Sequence, residues 1–244
     1  MARCYRFDVW RTDDGYNIRE DAAYRDPQPN AEAAADALFW RMHDLSLEAL
    51  GEFTKIHGGC ASWRGKRLIA TGPERAGKTT LMTRLLYEGF AVYCDDIVLL
   101  SRGIVLPYPR RFRLRPQSVA LLPEIASIAA RTPEVREHLA LDPSEMGFEW
   151  QIEGGPVDVV FFLEPNHGSA AELVPCPKYS MAKMIMSEST LPAAGAGIWV
   201  RDICAMLDKA STYVLRCGQL DSAVAAVKQV LEPMHGISTS GEDE

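Results

Sequence analysis

Residues 66–89 read KRLIATGPERAGKTTLMTRLLYEG, and the order of their parts decides the fold. An apolar run, KRLIATG, enters a glycine loop. A helical pattern leaves it, with Leu81, Leu85 and Leu86 on one face and Gly89 where a C-terminal cap belongs. Gly72, Gly77, Lys78 and Thr79 satisfy the pattern G-x-x-x-x-G-K-[ST] in full. Glycines at those places let backbone N–H groups turn toward phosphate oxygens, and the helix start adds its positive end. The candidate nucleotide cradle is therefore Gly72, Pro73, Glu74, Arg75, Ala76, Gly77, Lys78, Thr79 and Thr80. In that cradle Lys78 reaches the β and γ phosphates of ATP, and the Thr79 hydroxyl ligates Mg²⁺. A glycine-rich turn with a surface lysine would leave the strand before and the helix after it unexplained.

Working outward, FTKIHGGCASW (53–63) and KRLIATG flank an Arg64-Gly65 turn and read as a hairpin, with His57 on its first strand. After the loop helix, FAVYCDDIVLLS (90–101) is an apolar run broken by Asp95 and Asp96. Two unpaired carboxylates there are poor structural choices, because buried charge is costly. If the strand is continuous they point to opposite faces, so one can serve the metal while the other faces the γ-phosphate and accepts a proton. Glu164, at the end of the apolar run VDVVFFLEP, is a rival metal carboxylate. In RRFRLR (110–115), extended backbone places Arg111, Arg113 and Arg115 on one face and Phe112 and Leu114 on the other. That face suits a phosphate or an acidic substrate; equally, it is what a solvated edge strand carries to block aggregation.

The remaining pattern interleaves strands and helices, which makes the class α/β. CYRFDVW (4–10) alternates like a strand, and Asn30 caps a helix over AEAAADALFWRMHDLSLEAL. Residues 116–145 read as helical and irregular, with prolines limiting each piece, and GFEWQIEGGPVDVVFFLEP (147–165) as two strands. AELVPC and STYVLRC read as strands, and 179–190, 198–209 and LDSAVAAVKQVLE as helices. The expected organisation is a strand–helix segment over 1–50 packed on a core, a nucleotide-binding domain over 51–235, and a disordered tail over 236–244.

Composition narrows the function classes. The 244 residues carry 26 Lys+Arg and 33 Asp+Glu, a formal charge of −7, which disfavours a general nucleic-acid partner. No apolar run has the length of a membrane span, and the N-terminus lacks the apolar core of a signal peptide. Six scattered cysteines (4, 60, 94, 176, 204, 217) read as reduced thiols, so the expected location is cytoplasmic.

Taken together, His57, the loop 72–79 and Asp95–Asp96 resemble the catalytic domain of HPr kinase/phosphorylase, which phosphorylates a serine on a small carrier protein. His57 stands 21 residues before Lys78, and Asp95 and Asp96 stand 17 and 18 after it, as in that family. The likeness is strongest over 55–101. It implies a P-loop kinase core of the HPr kinase/phosphoenolpyruvate carboxykinase type, a mixed sheet with flanking helices. On the same ground Asp96 corresponds to the general base, with His57 and Lys78 as its companions. The family's second metal-ligating glutamate and its phosphorylase loop have no recognisable match; arginines 110–115 occupy roughly the glutamate's region. The chain is in this respect similar to divergent single-domain relatives, some of which phosphorylate serines of peptide natural products such as lasso peptides. The expectation is an ATP- and Mg²⁺-dependent kinase of a serine hydroxyl in a peptide or small protein. A nucleotide-binding regulatory module and a kinase of a small hydroxylated metabolite stand as alternatives.

Overall fold

The computed structural model describes residues 4–132, 134–135 (backbone only), 138–166 and 168–232. The tail expected to be disordered, 236–244, lies outside the described residues. The chain divides into two compact units, Met1–Gly51 and Glu52–Glu244. Among the described residues no helix is long and apolar enough to cross a membrane, and the six cysteines form no disulfide.

The first unit is an antiparallel meander, β1 (Phe7–Thr12), β2 (Gly15–Glu20) and β3 (Ala23–Tyr24), followed by α1 (Ala31–Ala49). Asn30 caps the helix: its side chain accepts from the Ala33 N–H at 2.9 Å, satisfying one of the free donors of the first turn. Glu20 is buried in this unit and is gripped by Arg25 and by both Arg41 Nε and Nη2, each of the latter at 2.8 Å.

The second unit runs β4 (Thr54–Trp63), β5 (Lys66–Thr71), α2 (Lys78–Tyr87), β6 (Ala91–Cys94), β7 (Ile97–Ser101), β8 (Ile104–Leu106) and β9 (Phe112–Leu114). It continues through α3 (Pro116–Val119), α4 (Ala126–Ala129), β10 (Glu134–Val135), β11 (His138–Leu141) and β12 (Val159–Pro165). Then follow β13 (Glu172–Pro175), α5 (Lys178–Ser187), β14 (Ser189–Thr190), α6 (Ala196–Lys209), β15 (Ser211–Cys217) and α7 (Leu220–Leu231). The main sheet has the order β13-β15-β12-β5-β4-β7-β8, with β6 and β14 also pairing with β4. It is mixed: β12 lies parallel to both β5 and β15, whereas β4 is antiparallel to β5 and β7. The chain is therefore α/β, with a mixed sheet and flanking helices.

The apolar run in β12 reflects burial on both faces, as a central parallel strand requires. Val159, Phe161 and Leu163 pack with Leu81, Leu85 and Val227 on one face; Val160 and Phe162 pack with Met181, Ile185 and Ile203 on the other. On the first face α2 is pinned from outside as well. Arg84 pairs with Glu88, Glu124 and Asp221, and Lys228 of α7 reaches Glu88 at 2.6 Å. The helix that leaves the glycine loop is thus fixed on its inner and outer sides.

Two sequence expectations need correction. Residues 147–165 contain one strand, β12, and not two; 148–158 is irregular apart from a single Val105–Gly155 bridge. It is held by scattered bonds to separate strands: Arg67 Nη2 donates to the Glu153 carbonyl at 3.0 Å, the Arg67 N–H donates to the Asp158 carboxylate at 2.7 Å, and the Gln151 N–H donates to the Val92 carbonyl at 2.9 Å. The stretch 116–145 is not wholly helical, because β11 pairs with β9 and buries Leu139 and Leu141.

Candidate active site

The glycine loop begins where β5 ends, in the middle of the sheet, and ends at the first turn of α2. Gly72 has φ 147°, and a Cβ there would stand 2.7 Å from the Leu163 carbonyl of β12. No side chain fits so close a backbone approach. Gly77, the residue that opens α2, has φ 92°, and there conformation alone demands glycine. Lys78 is buried to 6% exposure, its Nζ donating to the carbonyls of Gly72 at 2.6 Å and Pro73 at 2.8 Å. Burial lowers its pKa, while the charges of Glu188, Asp96, Asp95 and Glu74 work the other way.

A cavity of about 1220 Å³ opens over this loop. Glu74, Arg75, Gly77, Lys78, Thr79 and Thr80 line it from the loop side, together with His57, Asp95 and Asp96. Arg111, Arg113 and Arg115 line it from the opposite side. The cavity therefore gathers the catalytic, metal and arginine candidates in one place. Gly72, Pro73 and Ala76 are not among its lining residues; the first two act through their carbonyls on Lys78. Glu164 is also absent from the lining and is ion-paired with Arg216 at 3.5 Å.

Asp95 and Asp96 do not sit on one continuous strand. β6 stops at Cys94 and β7 resumes at Ile97, with Asp96 in the left-handed region at φ 73°, a conformation that aspartate tolerates better than most side chains. The kink separates their surroundings sharply. Asp95 is 1% exposed and its Oδ1 has no hydrogen-bond partner. Burial, reinforced by the charge of Asp96, pushes its pKa up to about 7, against the pull of a hydrogen bond from the Thr79 hydroxyl. Asp96 keeps 41% of its side-chain surface exposed. Its Oδ1 lies 3.2 Å from His57 Nε2, and its Oδ2 accepts from Arg110. Burial opposes its charge, but the His57 hydrogen bond and the Arg110 guanidinium outweigh burial and hold its pKa below the usual carboxylate value.

An orphaned buried carboxylate oxygen beside a threonine hydroxyl at a helix start fits a hard divalent cation. Mg²⁺ commonly takes one or two protein oxygens and fills its remaining positions with water and phosphate. Among the described residues no group of three or more His, Cys, Asp or Glu that could hold a metal occurs. Thr79 and Asp95 are the protein donors on hand.

Sequence reasoning missed two residues of this site. Arg110, whose side chain is 6% exposed, is the partner of Asp96. It shares the inward face of Phe112 and Leu114 by simple alternation, and a guanidinium on a buried face calls for a carboxylate. Glu188 lines the same cavity, with its Oε2 3.9 Å from His57 Nδ1 and its carbonyl accepting from the His57 N–H at 2.7 Å. It arrives through α5 and β14, and no pattern in the sequence links it to His57.

Neither a protein-family model nor a curated protein matches the chain. Among solved structures it is similar to the Hpr(Ser) kinase/phosphatase from Coxiella burnetii, at 16% identity and a TM-score of 0.32. The match covers 47% of this chain and 60% of that one. The likeness is distant.

The state of Asp95 sets a pH dependence for the nucleotide-free protein. A folded pKa near 7 lies above the unfolded value of 3.8, so between these pH values the folded chain holds a proton that the unfolded chain has released. Stability then declines as pH rises through this window, and above it the full cost of a buried charge is felt. Asp95→Asn is accordingly expected to raise Tm by several degrees at pH 8 and to change it little at pH 4.5. Thermal denaturation of both proteins at the two pH values checks this; equal shifts at both would show that Asp95 is not a buried titrating group.

Proposed function

We propose that the chain is a P-loop phosphotransferase of the HPr kinase type that moves the γ-phosphoryl group of Mg-ATP to a serine hydroxyl of a peptide or small protein. The observation that carries this reading is the meeting, in one cavity, of the glycine loop, a buried orphan carboxylate beside Thr79, and a second carboxylate oriented by His57 and Arg110. A site that only sensed nucleotide would have no use for the second carboxylate.

In this reading the loop amides and Lys78 bind the triphosphate, and Thr79 and Asp95 hold Mg²⁺, which neutralises phosphate charge when bound. Asp96 accepts the proton of the serine hydroxyl as its oxygen attacks the γ-phosphorus. The bond from that phosphorus to the bridging β–γ oxygen breaks, and ADP leaves. His57 orients Asp96. Arg110, already close to Asp96, lies where it can also balance charge on the phosphoryl group in transit. The depressed pKa keeps Asp96 ionised at neutral pH, so its first requirement as a base is met.

The test is incubation with Mg-ATP and a panel of serine peptides, carrier proteins and hydroxylated metabolites, each read by intact mass. A gain of about 80 Da on a peptide or protein, the mass of one phosphoryl group, absent with Asp96→Asn, is the expected result. ATP bound tightly but transferred to nothing would overturn the reading in favour of a regulatory module, and transfer to metabolites alone would relocate the acceptor.

A further inference from the structure

The cavity over the loop is larger than one nucleotide requires, and its far side is built of arginine. Its volume of about 1220 Å³ exceeds the roughly 300–1,000 Å³ of a pocket for one small ligand. Arg111, Arg113 and Arg115 line it from β9 and its two flanks. The residues between them anchor the platform: Phe112 and Leu114 are fully buried, and Phe112 stacks on Trp150 with ring centroids 5.3 Å apart. At ~3.3 Å per residue in extended backbone, the three arginines span roughly 13 Å. That is the length of about four residues of extended peptide, and longer than a small hydroxylated metabolite.

The phosphoryl-transfer reading leaves these three cations without a task. Lys78 serves the loop and Arg110 serves Asp96. Arg115 donates to Glu74 at 2.7 Å, but that carboxylate is 72% exposed, and an exposed pair is weak enough to be exchanged for another acid. Arg111 feels Asp142, across the β9–β11 pairing. Leu121, 59% exposed at the lip of the cavity, adds an apolar contact. The chain as a whole carries −7, so an acidic partner is not drawn in by net charge. Attraction has to be local, and the arginine platform is where it is found.

We infer that the acceptor is an acidic peptide segment, a serine with aspartate or glutamate within about four residues, read by Arg111, Arg113 and Arg115 beside Asp96. The inference rests on the phosphotransferase reading for the serine, and on the arginine platform alone for the acidic residues.

Binding is measured first, without nucleotide, so that it stands apart from turnover. A fluorescein-labelled peptide with one serine flanked by Asp and Glu is titrated with the full chain and followed by anisotropy, beside a twin carrying Asn and Gln. The acidic peptide is expected to bind at least about 10-fold more tightly, as two or three charge-assisted contacts warrant. The preference weakens as salt is raised and disappears in Arg111→Glu/Arg113→Glu. Arg111→Gln/Arg113→Gln, which avoids charge reversal, gives a smaller loss in the same direction. Equal binding of the twins, a preference that survives both double variants, or a sugar phosphate displacing the peptide more strongly than added salt does, would overturn the inference. An arginine-dependent preference without any phosphoryl transfer would support the acidic-segment reading and overturn the kinase reading alone.

Discussion

Asp96→Asn is expected to slow phosphoryl transfer by about 10²–10⁴-fold, the range contributed by a positioned general base, while ATP affinity changes by less than about threefold. The carboxylate meets His57 on one oxygen and Arg110 on the other, and touches neither the loop carbonyls nor Lys78 directly. Asparagine preserves its size and keeps one oxygen for Arg110, but has no basicity to take a proton. Removing the charge opposite a buried guanidinium costs some stability. Because 41% of the Asp96 side chain is exposed, that cost is discounted to roughly 1 kcal/mol, a few degrees in Tm. Turnover against intact mass, with ATP binding measured in parallel, checks the expectation. Lost nucleotide binding with residual transfer would show that Asp96 builds the loop side of the site instead.

Lys78→Ala has the opposite profile, losing binding and turnover together. Lys78 ties the loop to itself through two carbonyls while presenting a cation to the cavity. Its burial means that the charge is little screened by water. Deleting it removes a charge-assisted contact to the triphosphate, and the affinity for ATP is expected to fall by about 10–10²-fold. Lys78→Met keeps the length and packing of the side chain and is expected to lose affinity similarly, which separates charge from shape. Equilibrium dialysis with labelled ATP decides it. An unchanged dissociation constant in both variants would contradict the loop assignment.

What could be read before the fold was known follows a physical pattern. The hairpin around Arg64-Gly65, the loop, the capped helix after it and the Asn30 cap are local: each depends on residues within a few positions and is written there. The apolar β12 and the strand 211–217 were legible because burial on both faces and simple alternation leave clear marks. Where the expectation failed, the contacts were long-range. Leu139 and Leu141 are buried by pairing with β9, and four residues of alternation among prolines are too few to announce it. Residues 148–158 have strand-like composition but find their partners singly, in Arg67, Val92 and Val105.

The site divides in the same way. His57, Lys78, Thr79, Asp95 and Asp96 fall within 40 residues of one another on adjacent strands and a loop, so spacing alone brings them together. Arg110 returns to Asp96 only after the β7–β8 hairpin, and Glu188 reaches His57 through a strand more than 90 residues later. The kink at Asp96 was legible only in part. Two adjacent aspartates signal an interruption, but the left-handed backbone that gives each its own environment belongs to the fold.

The most direct test of the central claim is calorimetric titration of the full chain with ATP, in the presence and absence of Mg²⁺, at pH 8. On the proposed reading the loop would cradle a triphosphate beside a buried carboxylate that would take a cation, which predicts one nucleotide per chain and tighter binding with Mg²⁺ than without it. No saturable binding of ATP under either condition would contradict it.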